Sequence, residues 1–275
     1  MTLDWGALAL RDRGIEQPRG EDGGSQQLHT IFLPSQPGEA GQSMTIRLAD
    51  CDGRRSRANM LLNRMYSWRG YGSDHRLPKA PNCVTFTASS GDHLIGTLTL
   101  TVDSPGGLAA DRTFADEIDK FRKAPGARLC ELTKFAFDTS SPAKPRLAAL
   151  FHIIFIYGSM HYACTDLFIE VNPRHARFYE ALLGFSRVGK ERTNESVGAP
   201  SQLMWLNVGD IRRQIDRHSG SDREKSRSLY AHFFSAKEEA GIYGRLAGLG
   251  QSDRAEGQAA VVPTYLLTGP AQATL

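Results

Sequence analysis

The stretch from Arg128 to Phe185 constrains this chain more than any other. RLCELTKFAFD (Arg128 to Asp138) has the pattern of a strand that is largely apolar on both faces, which belongs in the middle of a sheet. Residues 146 to 164 form a helical pattern that is apolar on most sides, hence a buried helix. DLFIEVN (Asp166 to Asn172) is a second strand. It passes directly into a helix from Arg174 to Leu183, with Asn172 suited to the N-cap, Pro173 to the first helical position and Gly184 to the stop. This strand–helix–strand–helix order can separate the ends of neighbouring strands and open a cleft between them. The carboxylate of Glu131 then lies inside that cleft.

The remaining pattern fits around this unit. Residues 1–42 are rich in Gly, Gln, Pro and charge and read as a poorly ordered arm. Met44 to Asp50 is a short strand, and Ser56 to Trp68 is a helix that Gly70 and Gly72 terminate. Cys83 to Ser90 and His93 to Asp103 alternate and form a hairpin across Gly91 and Asp92. Phe114 to Phe121 is a short helix. Two last strands fall at Phe185 to Glu191 and Gln202 to Val208. The predicted core, residues 43–208, is therefore a mixed α/β sheet with helices on both faces. A C-terminal extension, residues 209–275, carries helical patterns at Asp210 to His218 and Leu229 to Leu246, then an apolar tail.

Composition narrows the class. Of 275 residues, 40% are hydrophobic and 23% charged, ordinary for a soluble globular protein. The N-terminus does not read as a signal peptide. The most apolar run, Leu147 to Met160, is too short to cross a bilayer. Cys51, Cys83, Cys130 and Cys164 form no metal-ligand spacing, which fits a reducing cytoplasm and no metal site. Net charge is only +3, but seven basic residues face one acid between Arg54 and Lys79. That excess suits a phosphate or an acidic protein surface, or is a solvated helix face. It does not form a nucleic-acid recognition helix.

Few residues can carry chemistry. Glu131 on a central strand must be paired or poised for work, as a base or in an ion pair with Arg128, Lys134 or a helix arginine. In regular extended chain, Leu129, Glu131, Thr133, Phe135 and Phe137 share one face, and Cys130, Leu132, Lys134 and Ala136 the other. The helix that follows starts near Arg146. Its free N–H groups favour an anion, but SSPAKPRLAAL lacks the glycines that wrap a pyrophosphate, so a single phosphate suits it better. No Ser–His–Asp or Cys–His arrangement is argued by spacing.

The combination of ELTKFAFD, RMYSWRGYG (Arg64 to Gly72) and VNPRHARFYEALLGF (Val171 to Phe185) resembles the GNAT superfamily. It is most similar to the FeeM-like N-acyl amino acid synthases and their relatives, the acyl-homoserine-lactone autoinducer synthases. The resemblance spans roughly Met44 to Val208. It implies a GNAT-like acyltransferase fold and a medium or long acyl chain delivered as a thioester on the phosphopantetheine of acyl carrier protein. Acyl-CoA is the less favoured donor, and no tightly bound cofactor is expected. It also implies an amino acid as acceptor, a cytoplasmic enzyme, and at most peripheral membrane contact when a lipid product leaves. Glu131 and Lys134 are the catalytic candidates, Glu131 as general base. Thr133, Phe135, Ala136, Phe137 and Arg146 are candidates for the acyl-phosphopantetheine arm. Arg64, Arg69, Tyr71, Asn172, Arg174, His175 and Tyr179 are candidates for the acceptor. Thr133-Lys134 stands where autoinducer synthases have Ser-Arg, and their tryptophan and acidic residues after the first helix lack a clear counterpart here, which argues against their sulfonium-nucleotide substrate. The other readings are an autoinducer synthase, an acetyl-CoA-dependent acetyltransferase and a non-catalytic acyl-carrier or lipid-binding module.

Overall fold

The computed structural model describes residues 27–33, 42–138, 143–218, 223 and 225–252. Eight strands form one sheet: β1 (Gln27–Leu33), β2 (Gln42–Leu48), β3 (Cys83–Ser90), β4 (His93–Val102), β5 (Leu129–Phe137), β6 (Asp166–Val171), β7 (Ser186–Asn194) and β8 (Ala199–Asn207). Their order across the sheet is β1-β2-β3-β4-β5-β6-β8-β7. All neighbours are antiparallel except β5 and β6, which a helical crossover makes parallel.

Helices cover both faces. On one, α1 (Asp52–Trp68) buries Ala58, Leu61, Leu62 and Met65 against Leu94 of β4 and Ala136 of β5. Beside it, α2 (Asp111–Arg122) seats Phe114 and Ile118 on Leu129, Phe168 and Leu203. On the other face lie α3 (Ala143–Ile156), which widens into a π-turn at Tyr157–His161, and α4 (Pro173–Leu183). Asn172 caps α4 by accepting from the Arg174 N–H, and Gly184 ends it at φ 77°.

The C-terminal extension packs on α3. It comprises α5 (Val208–His218), a 3₁₀ turn (Leu229–His232) and α6 (Ala236–Ser252). Ile211, Ile215, Leu229, Phe233, Phe234 and Ile242 join the core there.

Three expectations change. Residues 27–33, assigned to the arm, form β1: they pair with β2, and Arg245 of α6 donates to the Leu28 carbonyl at 2.6 Å. The rest of the arm and the apolar tail lie outside the described residues. The single helix expected from Leu229 to Leu246 is broken, because Ser235 and Glu238 cap a new start, with the Ser235 N–H donating to the Glu238 carboxylate at 2.9 Å. The basic stretch is not one charged face either. Arg54 is buried and paired with Asp50 at 2.8 Å, and Arg55 donates to the Leu77 and Pro78 carbonyls, pinning that loop to α1.

Candidate active site

Strands β5 and β6 pair at only three positions, Leu129↔Asp166, Cys130↔Leu167 and Glu131↔Phe168. Beyond Glu131 they diverge, β5 following β4 and β6 following β8. A bulge accompanies the split. Thr99 opposes Thr133 and Thr97 opposes Ala136, so two residues of β5 stand against one of β4. Lys134, in that bulge, has φ 54°, a left-handed conformation that costs a non-glycine residue energy and that the ladder on either side enforces.

The bulge corrects the regular alternation. Phe135 and Phe137 do not share the face of Glu131. They pack on the α3 side with Cys130 and Leu132, Phe135 lying 5.7 Å from the Phe151 ring. Ala136 turns to the α1 side. The Asp138 N–H donates to the Ile95 carbonyl, so by antiparallel alternation the N–H of Phe137 points away from β4, towards the gap. Gly96 opposes Phe137. A Cβ there would stand 2.7 Å from the Phe137 ring, so only glycine lets that ring lie against β4.

Glu131 sits at the vertex of the split, 1% exposed. Its Oε2 accepts from the N–H groups of Ala109 (2.7 Å) and Ala110 (3.3 Å) at the start of α2. Burial pushes its carboxyl up to about 8. Those two N–H groups pull against the shift, and the nearby carboxylates of Glu170 and Asp111 add to it. Such a group titrates close to neutrality, where a general base is most effective. Around it the face is a floor of hydroxyls. Thr101 opposes Glu131 on β4, Thr99 follows and bonds Thr85 at 2.7 Å, and Thr97 is fully buried with its Oγ1 unpartnered. Lys134 is half-buried, and burial followed by the nearby Arg112 lowers its ammonium while Glu131 opposes the shift.

The end of α1 and the start of α4 bring the acceptor candidates together. Arg174 donates to the Tyr71 hydroxyl and to Nε2 of His175, both at 3.1 Å. His175 is therefore neutral at Nε2, its pKa lowered by burial and by the guanidinium groups of Arg174 and Arg69. Burial raises the Tyr179 hydroxyl, on which Tyr66 and Arg69 also act. Sequence reasoning missed Tyr66, a half-buried residue whose phenol is pushed up to about 12 by desolvation and whose ring meets those of Tyr71 and His75. Its place in RMYSWRGYG, beside Arg69 and Tyr71, was the signal. Two candidates stand apart. Asn172 is occupied as the cap of α4, and Arg64 pairs with Asp138 at 3.2 Å, just beyond the end of β5.

Arg146 is 3% exposed in the first turns of α3, and burial lowers its guanidinium pKa. Residues 139–142 of that loop lie outside the described residues. On the α3 face of β5 there is a narrow apolar cavity of about 30 Å³, walled by Leu100 and Leu132 from the sheet, Phe151 and Ile154 from α3, and Leu167 from β6.

The comparisons agree with this architecture. The family model described as N-acyl amino acid synthase FeeM matches residues 57–207. The solved structure of FeeM, an N-acyl amino acid synthase from uncultured soil microbes, is 28% identical with a TM-score of 0.57, covering 62% of this chain and 94% of that one. The acyl-homoserine-lactone synthase LasI is 13% identical with a TM-score of 0.43, covering 67% of this chain and 91% of its own. No curated protein matches by sequence. The match to FeeM over more than half the chain, on a mixed sheet that splits at Glu131, makes this protein an N-acyltransferase of the GNAT-like fold, and the chain belongs to the FeeM family of N-acyl amino acid synthases.

Proposed function

We propose that this protein moves a medium- or long-chain acyl group from the phosphopantetheine thioester of acyl carrier protein to the α-amine of an amino acid. The observation that carries the reading is the divergence of β5 and β6 at Glu131, with a polar floor on one side and an apolar cavity on the other. The thioester carbonyl lies in the gap and the acyl tail extends into the cavity. The acceptor's carboxylate is held by Arg174, ordered by Tyr71, with Arg69 nearby.

The amino nitrogen attacks the thioester carbon. The C–N bond forms as the carbonyl π electrons move onto oxygen, and the N–H of Phe137 is placed to stabilise that oxyanion. Collapse breaks the C–S bond and releases the pantetheine thiol, a leaving group of pKa ~8.5 that requires no covalent enzyme intermediate. Glu131 accepts the first proton of the acceptor ammonium, directly or through a water, and releases it to solvent; the second, lost by the nitrogen once the C–N bond has formed, passes to the departing thiolate. A reducing cytoplasm, where the four cysteines stay free, is the compartment this chemistry fits.

The glycine-poor approach to α3 supports a single-phosphate donor over a pyrophosphate-bearing one. The test supplies palmitoyl-loaded carrier protein and, separately, palmitoyl-CoA, offers amino acids singly and identifies products by mass. N-acyl amino acid formed from the carrier is the expected result. Product from CoA alone would overturn the donor assignment, and no product from either would overturn the activity.

A further inference from the structure

The apolar cavity is not built from the family core alone. The family match ends at residue 207, and Val208 and Ile211 of α5, Tyr230 of the 3₁₀ turn and Phe233 just after it complete the cavity wall. A buried relay holds this wall in place. The Phe234 N–H donates to Nδ1 of His152 at 2.9 Å, so Nε2 of His152 carries the proton and faces Glu239 at 3.3 Å. The other oxygen of Glu239 accepts from Arg212 of α5 at 2.6 Å. Burial lowers the His152 imidazolium and so favours this neutral form. The Phe233 ring stacks on His152 with centroids 4.4 Å apart, and the Tyr230 hydroxyl donates to the Leu183 carbonyl of α4 at 2.8 Å. Thus α3, α4, α5 and α6 all fix the two aromatic side chains that close the cavity.

We infer that the C-terminal extension is the length gauge for the acyl chain: Phe233, Tyr230 and Ile211, all supplied by the extension, wall the cavity and set how many methylenes it accepts. The inference rests on the proposed acyl-thioester activity. Its ligand class follows from the wall, which is apolar almost throughout, because Ser159 spends its hydroxyl on the Phe155 carbonyl at 2.7 Å and the Tyr230 hydroxyl is engaged with Leu183. An unbranched hydrocarbon is the ligand such a wall favours, and each added methylene contributes until the end wall stops it.

Adjacent residues provide the test. Phe233 lines the cavity and Phe234 does not, although both are buried and stack on His152. Full-length wild type, Phe233→Ala, Phe233→Leu and Phe234→Leu are assayed with carrier-bound chains from octanoyl to stearoyl. The Phe233 variants should shift the ratio of kcat/KM for longer over shorter chains by about tenfold or more. Phe234→Leu should leave the ratio unchanged. Gly158→Ala is a second probe that does not depend on hollowing the core. Its methyl would meet only Leu100, at 3.6 Å and 3.9 Å, and narrow the cavity, so the preference should move to shorter chains.

Turnover with the same length profile in the Phe233 variants and Gly158→Ala overturns the gauge and leaves acyl transfer standing. If no thioester turns over, the proposed activity fails, and binding of the free fatty acids from octanoate to stearate is measured by calorimetry. A length cut-off that moves with Phe233 supports the gauge even then. A cut-off that does not move, or no binding, overturns it.

Discussion

The two faces of β5 differ more than any other pair of surfaces in this molecule, although the strand is one residue thick. Glu131 and Leu132 are neighbours in sequence. The first looks onto threonine hydroxyls and the start of α2, the second onto an apolar cavity under α3. The polar face holds a carboxyl whose protonation follows the solvent pH, because burial has brought its pKa near 8. The apolar face holds space and no titratable group engaged in chemistry. In the proposed reaction a thioester lying in the gap beyond Glu131 keeps its reactive carbon on one side and its tail on the other. On the proposed reading the difference makes proton handling and chain selection separable, and variants on one face should leave the other's property intact.

Replacing Glu131 with Gln should break the polar side most severely. The amide oxygen can still accept from Ala109 and Ala110, so the fold should persist while acyl transfer falls by about two orders of magnitude or more. Initial rates beside a thermal melt separate these outcomes. The same residue sets a stability trend. Its carboxyl pKa is raised from an ordinary 4.5 to about 8 in the fold, so the folded protein holds a proton that the unfolded chain gives up. That contribution is complete below about 4.5 and is lost as pH rises through about 8, and Glu131→Gln should flatten that portion of the urea-midpoint profile.

Gly96→Ala addresses the partition between the faces. Its new methyl, 2.7 Å from the Phe137 ring, should displace that ring, lower stability by about 1–3 kcal/mol and reduce transfer for every chain length. His152→Ala strikes the apolar side from behind. It leaves the Phe234 N–H without its acceptor and Oε1 of Glu239 without its donor, a loss of about 1–3 kcal/mol in a denaturant titration. It should blur chain-length preference while the pH dependence of transfer stays that of wild type. The smallest expected effect is that of Tyr71→Phe. It removes one hydrogen bond to Arg174 and should raise the acceptor KM by a factor corresponding to about 0.5–1.5 kcal/mol, with kcat for the thioester little changed.

Much of this division was legible in the sequence, and the reasons for the rest are physical. The apolar pattern around β5 and β6, the Asn172–Pro173 start and the Gly184 stop are local signals, and local signals survive into the fold. The bulge at Lys134 was not legible, because no glycine marks the left-handed position and simple alternation runs straight through it. That one conformation moved Phe135 and Phe137 to the other face. The burial of Arg54, which pairs with Asp50 one turn away, and of Arg146 is set by packing that composition does not reveal. Strand β1 is short and pairs with β2, so its pattern is hidden in a polar stretch. The break in the extension was legible. Ser235-Ala-Lys-Glu238 has the spacing of a capping box, and the apolar periodicity on either side obscured it.

The most direct measurement is the ratio of wild-type to Glu131→Gln transfer rates, taken at saturating acyl donor across neutral and alkaline pH. The ratio cancels the titration of the acceptor amine, which both proteins share. If Glu131 is the base at the vertex of the split, the ratio is large and climbs with pH until it levels above about 8. A ratio near one, or one that does not change with pH, would mean that Glu131 only secures the start of α2 and that the proton leaves by another route.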